Sequence, residues 1–191
     1  MCDALPRSAN LVLTMKRKKV MTILWSILGV LVALALVLFV GGSLIAREHK
    51  ATCTIELQAT PDAAFQAISD WKNLPSWNKS VTAVAELPGG GVWVETMGSM
   101  KIPLRIEKSE APRLFVARIA DEELPFGGTW THTLEATGQG TTRLTTTEDG
   151  FIKSAPFRFI AHFVLGYHKT LSDYQTALGA RFGAKASPTK S

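Results

Sequence analysis

The feature that most constrains this chain is an apolar run from Val20 to Val40 that contains no charged side chain. In helical geometry about 20 such residues cross the roughly 30 Å hydrocarbon core of a bilayer. Leucine, valine and isoleucine occupy every face of this helix, so no polar stripe remains for a helix that lies flat on a membrane surface. The run therefore predicts one membrane-spanning helix and makes the lipid bilayer an expected partner of the chain.

Basic residues flank this run unequally. The cluster Lys16–Lys19 precedes it directly, with Arg7 upstream, whereas only Arg47 and Lys50 follow closely. Because lysine and arginine are retained on the cytoplasmic side, we expect a single-pass protein of the plasma (inner) membrane, with a cytoplasmic N-terminus and an extracytoplasmic C-terminal domain. A cleaved signal peptide is the alternative, since small residues follow at 41–43. Signal peptides usually have an apolar region of about 7–15 residues, so this longer run favours an uncleaved anchor.

The positive charge of the chain is concentrated near the apolar run. Of 21 basic and 16 acidic residues, five basic and one acidic lie in residues 1–46, which leaves 16 basic and 15 acidic residues in the remainder. A nucleic-acid surface would need a basic patch within that remainder, where the charges alternate in sign. The two cysteines lie on opposite sides of the predicted span, and the four histidines lack the spacing of metal ligands. We therefore expect no nucleic acid, no metal and no cofactor.

The sequence after the apolar run predicts one domain of mixed α and β structure. Ala51–Gln58 alternates as a strand, and Thr60-Pro61-Asp62 then combines a capping hydroxyl, a first-turn proline and an early acid, as at a helix start. From Ser80 to Asp149, six short strands are separated by glycine and proline turns. Connections of hairpin length predict an antiparallel meander. Apolar positions at helical spacing from Ile160 to Leu178 then predict one long amphipathic helix.

Four motifs accompany this order of elements. They are Ala59-Thr60-Pro61-Asp62-Ala63-Ala64-Phe65, Asp70-Trp71 with Leu74-Pro75-Ser76-Trp77-Asn78, Pro125-Phe126-Gly127-Gly128-Thr129-Trp130, and Thr147-Glu148-Asp149-Gly150. Together, the order and the motifs resemble the START-like (SRPBCC) superfamily, and within it the bacterial polyketide cyclase/dehydrase and lipid-transport-like branch. The resemblance implies an α+β helix-grip fold, in which a curved antiparallel sheet surrounds a long C-terminal helix and an apolar cavity. The expected organisation is a cytoplasmic basic segment at 1–19, a transmembrane anchor at 20–46, a START-like domain at 47–183 and a disordered tail at 184–191.

If the resemblance holds, strand alternation names the side chains that line the cavity. The strand at 92–97 is ambiguous, because either Val92 and Val94 or Trp93 and Met97 fit an inner set. Burial in the core is the competing role for the aromatic residues, since they mainly contribute buried area. The expected lining residues are Trp77, Ile102, Leu104, Phe115, Trp130, His132, Phe163 and Tyr167.

His132 is the weak candidate for a catalytic group, because an imidazole on an apolar face can orient a carbonyl or exchange a proton. A lone histidine without an adjacent acid or nucleophile is more often structural. Glu95 could be its partner only if the Trp93 face points inward, and the sequence favours a solvated position for Glu95.

Three functions remain open at this point. The leading expectation is a membrane-anchored START-like domain, more carrier than enzyme, that binds or shuttles a hydrophobic ligand such as a lipid or isoprenoid-like compound. The resemblance also allows a polyketide cyclase/dehydratase-like enzyme that uses His132. The third alternative is a non-catalytic interaction or sensory module of a membrane complex, which a filled core and an exposed apolar patch would favour.

Overall fold

The computed structural model describes residues 7–184 and 187–191. Residues 1–6 of the expected N-terminal segment and 185–186 of the expected tail lie outside the described residues. Two shorter turns accompany the regular elements, a 3₁₀ turn at Trp71–Asn73 and a π-helical turn at Ala161–Leu165. In chain order the regular elements are α1 (Arg7–Ser43), β1 (Glu48–Leu57), α2 (Pro61–Ser69), α3 (Leu74–Trp77), β2 (Ala83–Glu86), β3 (Val92–Met97), β4 (Met100–Glu110), β5 (Leu114–Ile119), β6 (Phe126–Gly138), β7 (Thr141–Ile152), α4 (Ala155–Ile160), α5 (Lys169–Phe182) and β8 (Thr189–Lys190).

Helix α1 contains the apolar run. Its part from Arg17 to Ser43 is long and apolar enough to cross a membrane. Nearly all of its apolar side chains are exposed, as expected for a helix that is hydrophobic on every face. Length and composition fit both a membrane anchor and a signal sequence.

The strands form one curved antiparallel sheet in the order β2-β3-β4-β5-β6-β7-β1-β8. Strands β2 to β7 are the six predicted strands of the meander. Strand β1 extends the sheet by pairing with β7 from Glu48↔Phe151 to Leu57↔Thr142. The α+β helix-grip fold expected from the sequence is thus confirmed. The tail differs from expectation, because Thr189 and Lys190 pair with Thr54 and Cys53 of β1.

Helix α2 begins where the sequence predicts. The Thr60 side chain accepts a hydrogen bond from the Ala63 N–H at 3.3 Å, and Pro61 occupies the first turn. Phe65 and Ile68 are buried on the face of α2 that covers the sheet. They belong to the main core of the domain, together with side chains of β1, β3, β5, β6, β7 and α5.

The predicted C-terminal helix is interrupted. Helix α4 runs into the π-helical turn, and Gly166 then adopts φ 75° and donates its N–H to the Ala161 carbonyl at 2.8 Å. A positive φ is accessible to glycine without steric cost, so the helix ends at this residue. Helix α5 starts anew at Lys169 and packs on β1 and β7 with Leu171 and Leu178 fully buried.

Candidate functional site

The inner face of the sheet carries a row of large side chains beneath α5. Phe115 of β5 and His132 of β6 are direct cross-strand partners, with exposed fractions of 3% and 4%. Their ring centroids lie 6.2 Å apart. Trp130 precedes His132 by two residues on the same face of β6, and its ring centroid lies 6.1 Å from that of His132. Strand alternation therefore brings Phe115, Trp130 and His132 together, as the sequence predicts.

Polar contacts hold His132 in this apolar row. Its Nδ1 lies 3.0 Å from Thr146 Oγ1 on β7. The Gln175 Nε2 of α5 donates to the same Thr146 oxygen at 3.1 Å and to the Cys53 carbonyl at 2.8 Å. Burial lowers the pKa of His132 from 6.5 to about 4, so the imidazole is neutral near pH 7. This chain of contacts ties β1, β6, β7 and α5 into one polar network.

Tyr174 of α5 is the centre of an aromatic cluster. Its ring centroid lies 5.3 Å from Trp77, 5.5 Å from Trp130 and 5.4 Å from His132. Burial raises the pKa of the Tyr174 hydroxyl, and the nearby Glu95 carboxylate raises it further. The structure thus places Trp77 at the same site as Trp130 and His132, with Tyr174 as the common neighbour that the sequence did not single out.

The ambiguous strand β3 presents its Trp93 face to the interior. Trp93 is 3% exposed, stacks on Trp71 at 5.3 Å, and donates its Nε1–H to Glu95 Oε1 at 2.9 Å. Burial raises the pKa of Glu95, and the hydrogen bond from Trp93 partly opposes that rise. The expectation of a solvated Glu95 is therefore wrong, because packing of Trp93 into the core carries Glu95 to the inner face.

A second polar group lies at the end of the sheet next to α1. His49 of β1 and Glu148 of β7 approach at 3.6 Å between Nε2 and Oε1, with side chains only 10% and 19% exposed. The His49 ring stacks on Tyr167 with centroids 4.3 Å apart. His49 Nδ1 and Glu148 Oε2 are buried and have no hydrogen-bond partner among the described residues. Buried polar atoms are normally paired, so this pair of residues retains hydrogen-bonding capacity that the described residues do not use.

Sequence reasoning missed this pair although a signal exists. His49 has the parity of the buried residues Ala51 and Cys53, and Glu148 has the parity of Leu144 and Thr146. Extending the alternation by one step on each strand places both side chains on the inner face. The antiparallel pairing of β1 with β7 then brings them together, and this pairing joins strands that are far apart in the sequence.

The four other expected lining residues lie apart from the aromatic cluster around Tyr174. Leu104 is half-buried and packs against the main core, and Ile102 is half-buried beside Glu95 on the neighbouring strand. Tyr167 is half-buried against His49. Phe163 is 64% exposed on the π-helical turn and does not join the inner row, because the interruption before Gly166 turns it away from the buried face of α5.

Side chains occupy the interior between the sheet and α5 in this conformation. A pocket of about 290 Å³ lies outside that interior, between the outer side of α2 and the C-terminal end of α5. It is lined by Ala63, Gln66, Ala67, Asp70, Asn73, Arg181 and Phe182. None of the expected cavity residues lines this pocket.

A family model described as polyketide cyclase / dehydrase and lipid transport matches residues 48–177. Similar solved structures include the protein XoxI from Bacillus cereus, with 21% identity, coverage of 72% of this chain and 96% of that chain, and a TM-score of 0.57. A START superfamily protein from Mycobacterium smegmatis has 15% identity, coverage of 71% and 97%, and a TM-score of 0.56. The di-domain ARO/CYC protein BexL from the BE-7585A biosynthetic pathway has 14% identity, coverage of 69% and 45%, and a TM-score of 0.59. At these sequence identities, the similar structures show a shared fold alone. No curated protein matches the sequence.

Proposed function

This chain belongs to the polyketide cyclase/dehydrase and lipid-transport family, and from that premise we propose that it binds a hydrophobic, lipid-like or isoprenoid-like ligand while anchored to a membrane. Helix α1 supplies the anchor, and the cation excess at Lys16–Lys19 puts the domain on the extracytoplasmic side. An anchored domain stays close to the bilayer in which such ligands dissolve, which raises the effective concentration of both partners.

The observation that carries this proposal is the pair of His49 and Glu148 at the end of the helix grip next to α1, in which each side chain has one buried polar atom without a partner among the described residues. Strand β1 begins at Glu48, a few residues after α1 ends at Ser43, so this end of the domain is the one nearest the anchor. Glu148 Oε2 can accept a hydrogen bond from a hydroxyl or amine of a ligand, and His49 Nδ1 donates or accepts according to its tautomer. The apolar part of the molecule would pack beside Trp130 and the aromatic side chains next to it, which would have to move to admit it. This arrangement suits an amphiphile with a small polar head and an apolar body.

Copurification tests this proposal. The full chain, extracted from its host membrane in mild detergent, is examined by native mass spectrometry for a bound apolar compound. Replacing Glu148→Gln removes a charged acceptor, and a hydrogen bond to a charged group contributes about 1.5–3 kcal/mol, so retained ligand should fall by about tenfold or more. The matched control is Glu135→Gln, the same chemical change at an exposed position of β6, which should leave the ligand bound.

Two results would count against ligand binding at this site. Wild-type preparations that are repeatedly empty would remove the carrier function. Equal ligand retention by the Glu148→Gln and Glu135→Gln proteins would place the ligand elsewhere.

The neutral imidazole of His132 favours a second candidate, a cyclase- or dehydratase-type reaction on a polyketone. With its pKa lowered to about 4, His132 is unprotonated near pH 7. Burial also makes the ring a weak base, so its role in such a reaction would be to orient a substrate carbonyl or hydroxyl by a hydrogen bond and to take up a proton only transiently. In that case His132→Gln should lower the rate constant of the reaction far more than it lowers substrate affinity. Equal rate constants for both proteins would exclude His132 from such a mechanism.

A further inference from the structure

Helix α1 is bound to the domain by a buried arginine. Arg158 of α4 is 6% exposed, and its Nε donates to the Gly42 carbonyl of α1 at 2.9 Å. Its Nη1 donates to the carbonyls of Ile152 at 3.1 Å and Lys153 at 2.9 Å. A cation at the C-terminal end of a helix is favoured by the exposed carbonyls there. The guanidinium therefore joins the last turn of α1 to the end of β7 and to α4.

Two glycines allow this close approach. A Cβ at Gly42 would lie 1.7 Å from the Ala155 carbonyl oxygen, and a Cβ at Gly41 would lie 2.8 Å from the Phe159 ring. Gly29, in the middle of the same helix, would meet nothing within 4 Å. Residues 17–37 of α1 are exposed, whereas Gly41 is half-buried and Gly42 is buried, so the contact lies at the end of the helix. It holds α4 level with Gly41 and Gly42 along the axis of α1.

Four apolar side chains next to this contact are exposed, and we call them the junction patch. They are Phe157 at 38%, Phe163 at 64%, Val164 at 70% and Leu165 at 48% exposure. The patch continues from α1, because the Phe159 ring that covers Gly41 lies 4.8 Å from the Phe163 ring. Contiguous apolar side chains of this kind on a folded surface mark an interaction site.

We propose that the junction patch is embedded in the interfacial layer of the same bilayer that α1 crosses. This proposal rests on the anchoring role of α1 given above. The apolar run ends at Val40 after about the number of residues that spans a hydrocarbon core, so Gly41 and Gly42 lie at the core boundary. The patch is attached to these glycines and therefore lies at the same depth. Aromatic and aliphatic side chains are favoured at this depth, where their apolar parts leave water.

Such embedding determines which part of the domain faces the lipid. The His162 ring lies 4.6 Å from Phe163 of the patch and 5.8 Å from Tyr167, which covers His49. The end of the helix grip with the unpaired polar atoms is thus a near neighbour of the embedded turn. A lipid-soluble ligand would reach that end from the bilayer without crossing water.

Nitroxide depth measurements on the full chain test this proposal. Single cysteines are introduced by Val164→Cys in the patch, Leu31→Cys in the middle of α1, and Thr176→Cys on the exposed face of α5. The background carries Cys2→Ser and Cys53→Ala, and the labelled proteins are reconstituted in vesicles of phosphatidylethanolamine and phosphatidylglycerol. Accessibility to oxygen, which concentrates in the bilayer, is compared with accessibility to a water-soluble nickel chelate. We expect oxygen to dominate at positions 31 and 164, more strongly at 31, and the chelate to dominate at 176.

The three labels separate the ways in which the proposal fails. A chelate-accessible label at 164 combined with a bilayer-embedded label at 31 would overturn the embedding and leave the anchor intact. A label at 164 shielded from both reagents would also overturn it, in favour of a protein partner or a second copy on the patch. A chelate-accessible label at 31 would refute the anchor itself, and with it the embedding of the patch.

Discussion

The buried His132 should make the stability of the domain depend on pH in the mildly acidic range. In the unfolded chain this histidine titrates near 6.5, whereas burial lowers its pKa in the folded protein to about 4. Between these values the unfolded state binds a proton that the folded state does not bind, so unfolding becomes more favourable as the pH falls. Each pH unit of this gap corresponds to about 1.36 kcal/mol, which gives a loss of about 3 kcal/mol between pH 6.5 and 4.

Urea unfolding of the detergent-solubilised full chain, followed by tryptophan fluorescence at several pH values, measures this loss. Carboxylates also titrate below pH 5, so the informative quantity is the difference between the wild-type protein and a His132→Gln variant. Glutamine retains a polar contact to Thr146 but does not titrate. The variant should be less stable than the wild type at pH 7 and should lose about 3 kcal/mol less on acidification. His162→Gln, at an exposed histidine of the π-helical turn, is the matched control and should keep the wild-type slope.

The opposite pattern would refute the reasoning. If the wild-type and His132→Gln proteins lose stability in parallel from pH 6.5 to 4, the imidazole is protonated in the folded protein without penalty. The interior would then contain water or a carboxylate that compensates the charge, in conflict with the buried, neutral network of His132, Thr146 and Gln175.

Two further predictions concern the anchor. Gly42→Ala should lower the free energy of unfolding in detergent by about 1–3 kcal/mol, because the new Cβ overlaps the Ala155 carbonyl. Gly29→Ala should leave this free energy unchanged. Equal effects of the two changes, measured by urea unfolding, would contradict the close contact of α1 with α4. A reporter fused after Ser191 should be active only in the extracytoplasmic compartment. Neutral replacements of Lys16–Lys19 should reduce that activity only partially, since long domains can cross regardless of charge. A reporter that is active in the cytoplasm when fused to the unaltered protein would reverse the proposed topology.

Local signals in the sequence account for most of the fold. The Thr60-Pro61-Asp62 helix start, the glycine turns of the meander and the alternation that turns Phe115 and His132 to the inner face all act over a few residues, and the structure confirms each of them. Alternation alone does not predict which face of β3 points inward, because Val92 and Val94 lie on one face and Trp93 and Met97 on the other. Stacking of Trp93 on Trp71, a residue of a different element, selects the inner face and leaves Glu95 half-buried beside it.

The interruption of the C-terminal helix escaped prediction for a related reason. Helical spacing of apolar residues continues through Gly166, so periodicity alone indicates one helix. The pattern does not show which element the first segment packs against. Arg158 and Phe159 pack on the end of α1, whereas α5 packs on the sheet, so the two segments pack against different elements. The spacing of Phe163 matches that of α5 and so predicts a place in the ligand cavity, but Phe163 lies on the segment that packs against α1.

The short connection between α1 and β1 limits the kind of transfer that the proposed function permits. Only residues 44–47 join the two elements, and an extended chain of that length spans at most about 14 Å. The Arg47 carbonyl is in turn held by the Ile152 N–H at 2.9 Å, and Arg158 holds Gly42. A domain attached in this way is unable to carry a ligand away from its membrane, unlike a domain on a long flexible tether. We therefore expect a ligand bound here to be received and released at the same bilayer surface, so that any acceptor protein or second membrane must come to the domain.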